Sequence, residues 1–138
     1  MKSLQTLLKV AQRRMDELGV EAVKLGQAID DMRTQQTSIL AKQEHEAQLA
    51  AKDMSLAQML PAYRLRVKWQ VDQIRVASSK AELDLVDVRE RLSVAYQEKS
   101  KFEHLIEQEA IRQTAARAAK EQAMLDEVAI NRAGGLGK

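Results

Sequence analysis

The sequence predicts an all-α protein, a long two-helix antiparallel coiled-coil hairpin with a projecting C-terminal helix. Three observations carry that expectation. Ala, Leu, Glu, Lys and Arg fill 70 of the 138 positions, the bias of long helices and coiled coils. Apolar residues recur three and four apart along two separate stretches, the signature of a heptad seam. Gly and Pro together number six and aromatic residues four, too few turn signals and strand formers for a β-sandwich or barrel.

The first stretch runs Met1, Leu4, Leu8, Ala11, Met15, Leu18, Ala22, Leu25, Ile29, Met32, Gln36 and Ile39. Eleven of these twelve residues are apolar. The positions between them are mostly Gln, Lys, Arg, Asp and Glu, as on the solvated flanks of a coiled coil. Ser3 is suited to cap the helix, because its hydroxyl can accept from a free amide of the first turn. The stripe becomes polar at Gln43 and Glu46, and no clean apolar seam continues to Leu60.

Pro61 is the single proline. Inside a helix it removes a hydrogen bond and clashes with the preceding turn, at about 3 kcal/mol, whereas at the first position it is tolerated. The first arm is therefore expected over about residues 3–52, the reversal over about 53–60 and the second arm over about 61–131. Asp53 and Ser55 suit a turn. A continuous helix kinked at Pro61 is the rival arrangement. Residues 133–138, with three glycines, are expected as a flexible tail to a single domain over 1–132.

The second stretch runs Val67, Val71, Ile74, Ser78, Ala81, Leu85, Val88, Leu92, Ala95, Lys99, Phe102 and Ile106, ten of them apolar. Two signals compete with it. Ser79-Lys80-Ala81-Glu82 fits a capping box, but the seam passes through it in phase. Residues 63–71 alternate apolar and polar like a strand, but a lone strand has no partner. A reversal centred between 56 and 61 predicts facing residues whose numbers sum to about 113–122. Ser78 would then lie opposite Gln36 or Gln43, polar layer against polar layer. Past Ile106 the stripe thins to Ile111, Ala115, Ala118, Gln122, Leu125 and Ala129. Little of it has a partner on the first arm, so it should be a single Ala-rich helix ordered by something it binds.

Chemistry is sparse. No cysteine is present, which excludes disulfides and thiolate metal sites. Glu44-His45-Glu46-Ala47-Gln48-Leu49 opens like a zinc-protease helix but lacks the second histidine, and His104 is expected far from His45. Gly134-Gly135-Leu136-Gly137-Lys138 ends like a phosphate loop but lacks its first glycine, its Ser/Thr and a preceding strand. A two-helix rod offers no concave pocket to raise a carboxyl pKa. No catalytic residue, cofactor or metal is expected, and the chain is not expected to be an enzyme. The net charge of +2 with both signs interspersed argues against a nucleic-acid partner. No apolar run approaches the 18 residues of a membrane span, so a soluble protein without direct membrane insertion is expected.

What remains is surface. Gly19 and Gly26 lie seven apart on one flank, where each costs about 1 kcal/mol against Ala. A close helix or partner contact would offset that, and tolerated drift on an exposed flank is the plain alternative. Near the reversal, Tyr63 and Trp69 bracket Arg64, Arg66 and Lys68, the composition of interface hot spots. Trp69 packed on the hairpin tip with the cations solvated is the competing reading.

The two ends of the chain carry a resemblance. Leu4-Gln5-Thr6-Leu7-Leu8-Lys9-Val10-Ala11 resembles the opening of the flagellar FliJ family. Met124-Leu125-Asp126-Glu127-Val128-Ala129-Ile130-Asn131-Arg132, after a charged Ala-rich helix, resembles its closing stretch. The resemblance implies a component of the flagellar type III export apparatus, similar to the central stalk of rotary ATP synthases. It implies three partners: the hexameric export ATPase, the membrane export gate and export chaperones. It also implies a cytoplasmic place, peripherally associated with the inner membrane through the apparatus. On this expectation Leu125, Asp126, Glu127, Ala129 and Arg132 engage the ATPase. Tyr63, Arg64, Arg66, Lys68 and Trp69 face the gate or another partner, and the free chain is a monomer. An injectisome stalk protein and a generic coiled-coil scaffold or chaperone are the alternatives.

Overall fold

A computed structural model describes residues 2–136. It contains two helices, α1 (Lys2–Ala50) and α2 (Met54–Leu136), which pack against each other as an all-α hairpin. The chain forms two compact units, Met15–Val94 and Met1–Arg14 with Ala95–Lys138.

The unit Met15–Val94 holds the reversal, which is short. It occupies residues 51–53, ahead of the 53–60 expected from Pro61. At the end of α1, Ala51 N donates to Ala47 O and Lys52 N to Leu49 O, a tightening that satisfies the last carbonyls. Asp53 then caps α2. Its Oδ1 accepts from Ser55 N at 3.0 Å and from Ser55 Oγ at 2.7 Å, while its carbonyl takes the first helical bond from Ala57 N. These bonds, the Ser55 hydroxyl first, hold the Asp53 carboxyl below its ordinary value of 3.8. No described residue has a positive φ, so this turn closes without glycine. Pro61 lies inside α2, in its second turn. It is tolerated there because Pro61 and Ala57, whose carbonyl loses its helical donor, are both exposed.

Shielding follows the heptad seams. Every predicted seam residue from Leu4 to Ile39 and from Val67 to Ile106 is buried or half-buried. Ala11, Leu18, Ile29, Val67, Val71, Ala81, Val88 and Ala95 are the most enclosed of them. In α1 the inward stripe continues in phase through Gln43 and Glu46 to buried Ala50. Its polarity changes at Ile39, but its geometry does not. In α2 it extends back through Tyr63, Leu60 and Leu56. Two consecutive four-residue steps, Tyr63 to Val67 and Val67 to Val71, mark a stutter that locally unwinds the coil. The strand-like alternation at 63–71 and the capping-box pattern at 79–82 both lie within helix.

Facing residues set the register. Ile39 shares a groove with Val67 and Gln70, and Arg33 pairs with Glu82. Such pairs sum to between 106 and 115, touching the predicted window only at its lower edge. The cause is the earlier turn. Ser78 therefore lies opposite residues 28–37, which keeps Gln36 as its polar counterpart and drops Gln43.

In the unit Met1–Arg14 with Ala95–Lys138, Leu4, Leu8 and Ala11 face the stripe of Ala95, Lys99, Phe102 and Ile106. Lys99 enters the seam half-buried, and its Nζ reaches out to Glu103 Oε1 at 3.7 Å, as long cationic stems do. The last shielded residue is Glu109. From Ala110 to Gly135 every residue is exposed, so this stretch has no partner within the unit. The helix continues through Gly134 and Gly135 to Leu136, where the sequence predicts a tail over 133–138. Residues 137 and 138 of that tail, and Met1 of the first seam, lie outside the described residues.

Candidate partner-binding surfaces

Seven consecutive residues make two helical turns, so Tyr63 to Trp69 cannot form one face. The structure divides them. Tyr63 is half-buried on the inward stripe, with the Arg66 guanidinium 6.0 Å from its ring centroid. Both line the grooves beside α1, one with Glu46, Leu56 and Leu60 and one with Ile39 and Lys42. Arg64, Lys68 and Trp69 are exposed. Trp69 stands two residues from buried Val67 and Val71, about 200° around a helix, so it points away from the seam and does not pack on the hairpin tip.

The C-terminal cluster is divided in a similar way. Leu125, Ala129 and Arg132 share a face by their four- and three-residue spacing. Asp126 turns to a neighbouring face, where its Oδ1 accepts from Gln122 Nε2 at 3.1 Å. Glu127 lies about 200° from Leu125. Met124, Val128 and Ile130 are exposed apolar residues of the same stretch that sequence reasoning does not single out. The four-residue step from Met124 to Val128 is the signal that could have found two of them.

The flank carrying Gly19 and Gly26 is open. A Cβ built at either glycine meets nothing within 4 Å, so no close contact inside the chain explains them. The groove beside Gly26 is bordered by Asp30, Arg33, Glu82 and Arg89.

Among the described residues, no charged side chain is buried and no group of three or more His, Asp or Glu could hold a metal ion. His45 and His104 are both exposed. No described helix is long and apolar enough to cross a membrane. The described surfaces left uncovered are the helix at 110–135 and the cations beside exposed Trp69 near the reversal.

No curated protein and no solved structure matches this chain. The model of one protein family, described as Flagellar FliJ protein, matches residues 1–137. With all but the last residue matched, the chain belongs to the FliJ family.

Proposed function

We propose that this chain is the non-enzymatic central-stalk component of the flagellar protein export apparatus. It binds and stimulates the hexameric export ATPase and links that ring to the membrane export gate and to export chaperones. Membership of the FliJ family supports a role in flagellar export in general. The observation that favours the finer reading is the unbroken exposure of residues 110–135. A bare helix carrying Leu125 and Val128 buries nothing within its own unit, whereas most helical stability in proteins comes from packing an apolar face. It gains order by inserting into a partner, and a narrow Ala-rich helix suits the bore of a ring.

In this reading Leu125, Asp126, Glu127, Ala129 and Arg132 contact the ATPase, while Arg64, Lys68 and Trp69, with Tyr63 and Arg66 beside them, serve the gate or another partner. The protein acts in the cytoplasm, held peripherally at the inner membrane by these contacts. Deletion of residues 124–138, followed by measurement of the export ATPase turnover, is the test. Loss of stimulation is expected, and unchanged stimulation overturns the assignment.

A further inference from the structure

The outer surface of α2 carries a second seam. Leu65, Trp69, Asp72, Val76, Ser79, Leu83 and Val86 follow steps of four and three residues. Each lies two residues ahead of a residue of the inward stripe, namely Val67, Val71, Ile74, Ser78, Ala81, Leu85 and Val88. Two residues turn a helix by about 200°. The phase of the buried seam is thus repeated on the opposite side, which the hairpin leaves uncovered up to Val86, where the row ends beside the groove of Gly26 and Ile29. The five apolar members are between 53 and 72% exposed. Scattered exposed apolar residues need no explanation, but an ordered row of five spanning about 32 Å of helix is an unpartnered face.

Its surroundings select the partner. Residues 64–80 hold five cations, Arg64, Arg66, Lys68, Arg75 and Lys80, and one anion, Asp72. The excess belongs to the first part of the row: Glu82, Asp84 and Asp87 border Leu83 and Val86 at its far end, Glu82 and Asp87 being already paired with Arg33 and Arg91. Arg66 and Lys80 border the row on one side, Lys68 and Arg75 on the other. Among the described residues, Arg64, Lys68, Arg75 and Lys80 take part in none of the ion pairs, which join Arg33–Glu82, Arg91–Asp87, Lys99–Glu103 and Arg112–Glu109.

We propose that this outward row is a docking seam for an acidic amphipathic α-helix of another protein, which adds a third helix to the hairpin. The heptad phase fits a helix, since only a supercoiling partner keeps step with it over six turns. The cations that border Leu65 to Ser79 call for Glu or Asp on the flanks of the incoming helix along that part of the row. A parallel second copy of this face is disfavoured by its own charge, and an antiparallel one would meet Glu82 and Asp87 already held by Arg33 and Arg91. A lipid surface is disfavoured by Asp72, which would be pressed into it between Trp69 and Val76. The inference rests on the reading of the Tyr63–Trp69 region as a partner contact, and supplies the face and the chemistry of that contact.

Trp69 is the only tryptophan, so its fluorescence reports on the row directly. The full chain is titrated with two four-heptad helical peptides, each with Leu at the seam positions and either Glu or Lys on the flanks. Phosphatidylglycerol vesicles and concentration of the chain alone complete the set. The Glu peptide is expected to shift the Trp69 emission to the blue and to saturate, with the Lys peptide binding at least roughly tenfold more weakly. Val76→Glu with Leu83→Glu should abolish the shift. Lys68→Glu with Arg75→Glu should weaken it roughly tenfold, with helicity retained in both because the sites are exposed. No shift with either peptide, equal shifts with both, or a shift that survives Val76→Glu with Leu83→Glu overturns the proposal. So does a blue shift produced by vesicles or by self-association in place of the Glu peptide. The assay contains no ATPase, so failure here leaves the stimulation experiment standing, and loss of stimulation there says nothing about this seam.

Discussion

Arg33 Nη2 donates to Glu82 Oε1 at 3.4 Å, joining α1 to α2 across 49 residues of sequence. Each residue lies four positions after a shielded one, Ile29 and Ser78. The same flank of the two helices therefore meets, which is the pairing of antiparallel coils. The side chains are 66% and 51% exposed, so the pair contributes only about 0.2–1 kcal/mol. A double-mutant cycle with Arg33→Ala and Glu82→Ala, followed by urea unfolding, should return a coupling in that range that shrinks in high salt. Additive single effects would mean that this pair plays no part in setting the register.

The seam should dominate stability instead. Ile29 is 4% exposed and Val23, six residues earlier on the same helix, is 61% exposed. Ile29→Ala removes buried methyl groups and leaves a cavity, and should destabilise by about 2–5 kcal/mol. Val23→Ala should stay within about 0.5 kcal/mol of the parent. Comparable losses at both positions would mean that the Val23 flank is covered in solution.

The cap of α2 gives a pH dependence of definite sign. Hydrogen bonds from Ser55 hold the Asp53 carboxyl below its ordinary value of 3.8. A carboxyl depressed in the folded state binds its proton more weakly there than in the unfolded chain. Its contribution is therefore complete above the ordinary value and is lost as pH falls through the folded one. Asp53→Ala should lower Tm at neutral pH and differ less from the parent in acid. Asp53→Asn, which still accepts from Ser55, should keep most of the cap and lose its pH dependence. Melting curves at neutral and acid pH separate the two. A parent Tm advantage over Asp53→Ala that grows in acid would contradict a depressed carboxyl at the cap.

Pro61 explains both what is legible in the sequence and what is hidden there. The seams from Leu4 to Ile39 and from Val67 to Ile106 are readable because packing against one neighbour imposes one period on both helices. Leu56, Leu60 and Tyr63 belong to the same stripe but escape the pattern, because Pro61 suggests a helix start and the stutter at Val67 breaks the heptad count. The same proline draws the expected turn too late in the chain, since the Asp53–Ser55 cap is a weaker sequence signal. Tyr63, Arg66 and Trp69 are readable as interface residue types. Their directions are not, because these depend on a phase that the stutter shifts. The outward row from Leu65 to Val86 is legible as spacing, yet without the exposure of each residue it cannot be told from a broad buried face.

Replacing Pro61 tests this interpretation. The residue sits in the second turn of α2, beyond the amides that a helix start leaves free, so the Ala57 carbonyl lacks its helical donor. Pro61→Ala should restore that bond and raise stability by about 1–3 kcal/mol, less whatever the proline gains by restricting the unfolded chain. Calorimetry should show a higher Tm with helicity unchanged. A lower Tm would mean that the proline holds the crossing of the two helices beside Tyr63.

The glycines on α1 give a prediction of the opposite origin. Pro61 interrupts the hydrogen-bonding of α2, whereas Gly19 and Gly26 leave that of α1 intact and cost conformational entropy. Apart from the adjoining residues and backbone of the helix itself, neither has an atom within 4 Å of the place a Cβ would take, so alanine enters without a clash. Gly19→Ala and Gly26→Ala should each stabilise the chain by about 0.5–1 kcal/mol. The sites are seven residues apart and share no neighbour within that distance, so the two gains should add within about 0.5 kcal/mol. Urea unfolding of both single variants and the double variant provides the measurement. Destabilisation by either alanine would show that the flank is occupied in solution, since open space gives a methyl group nothing to oppose.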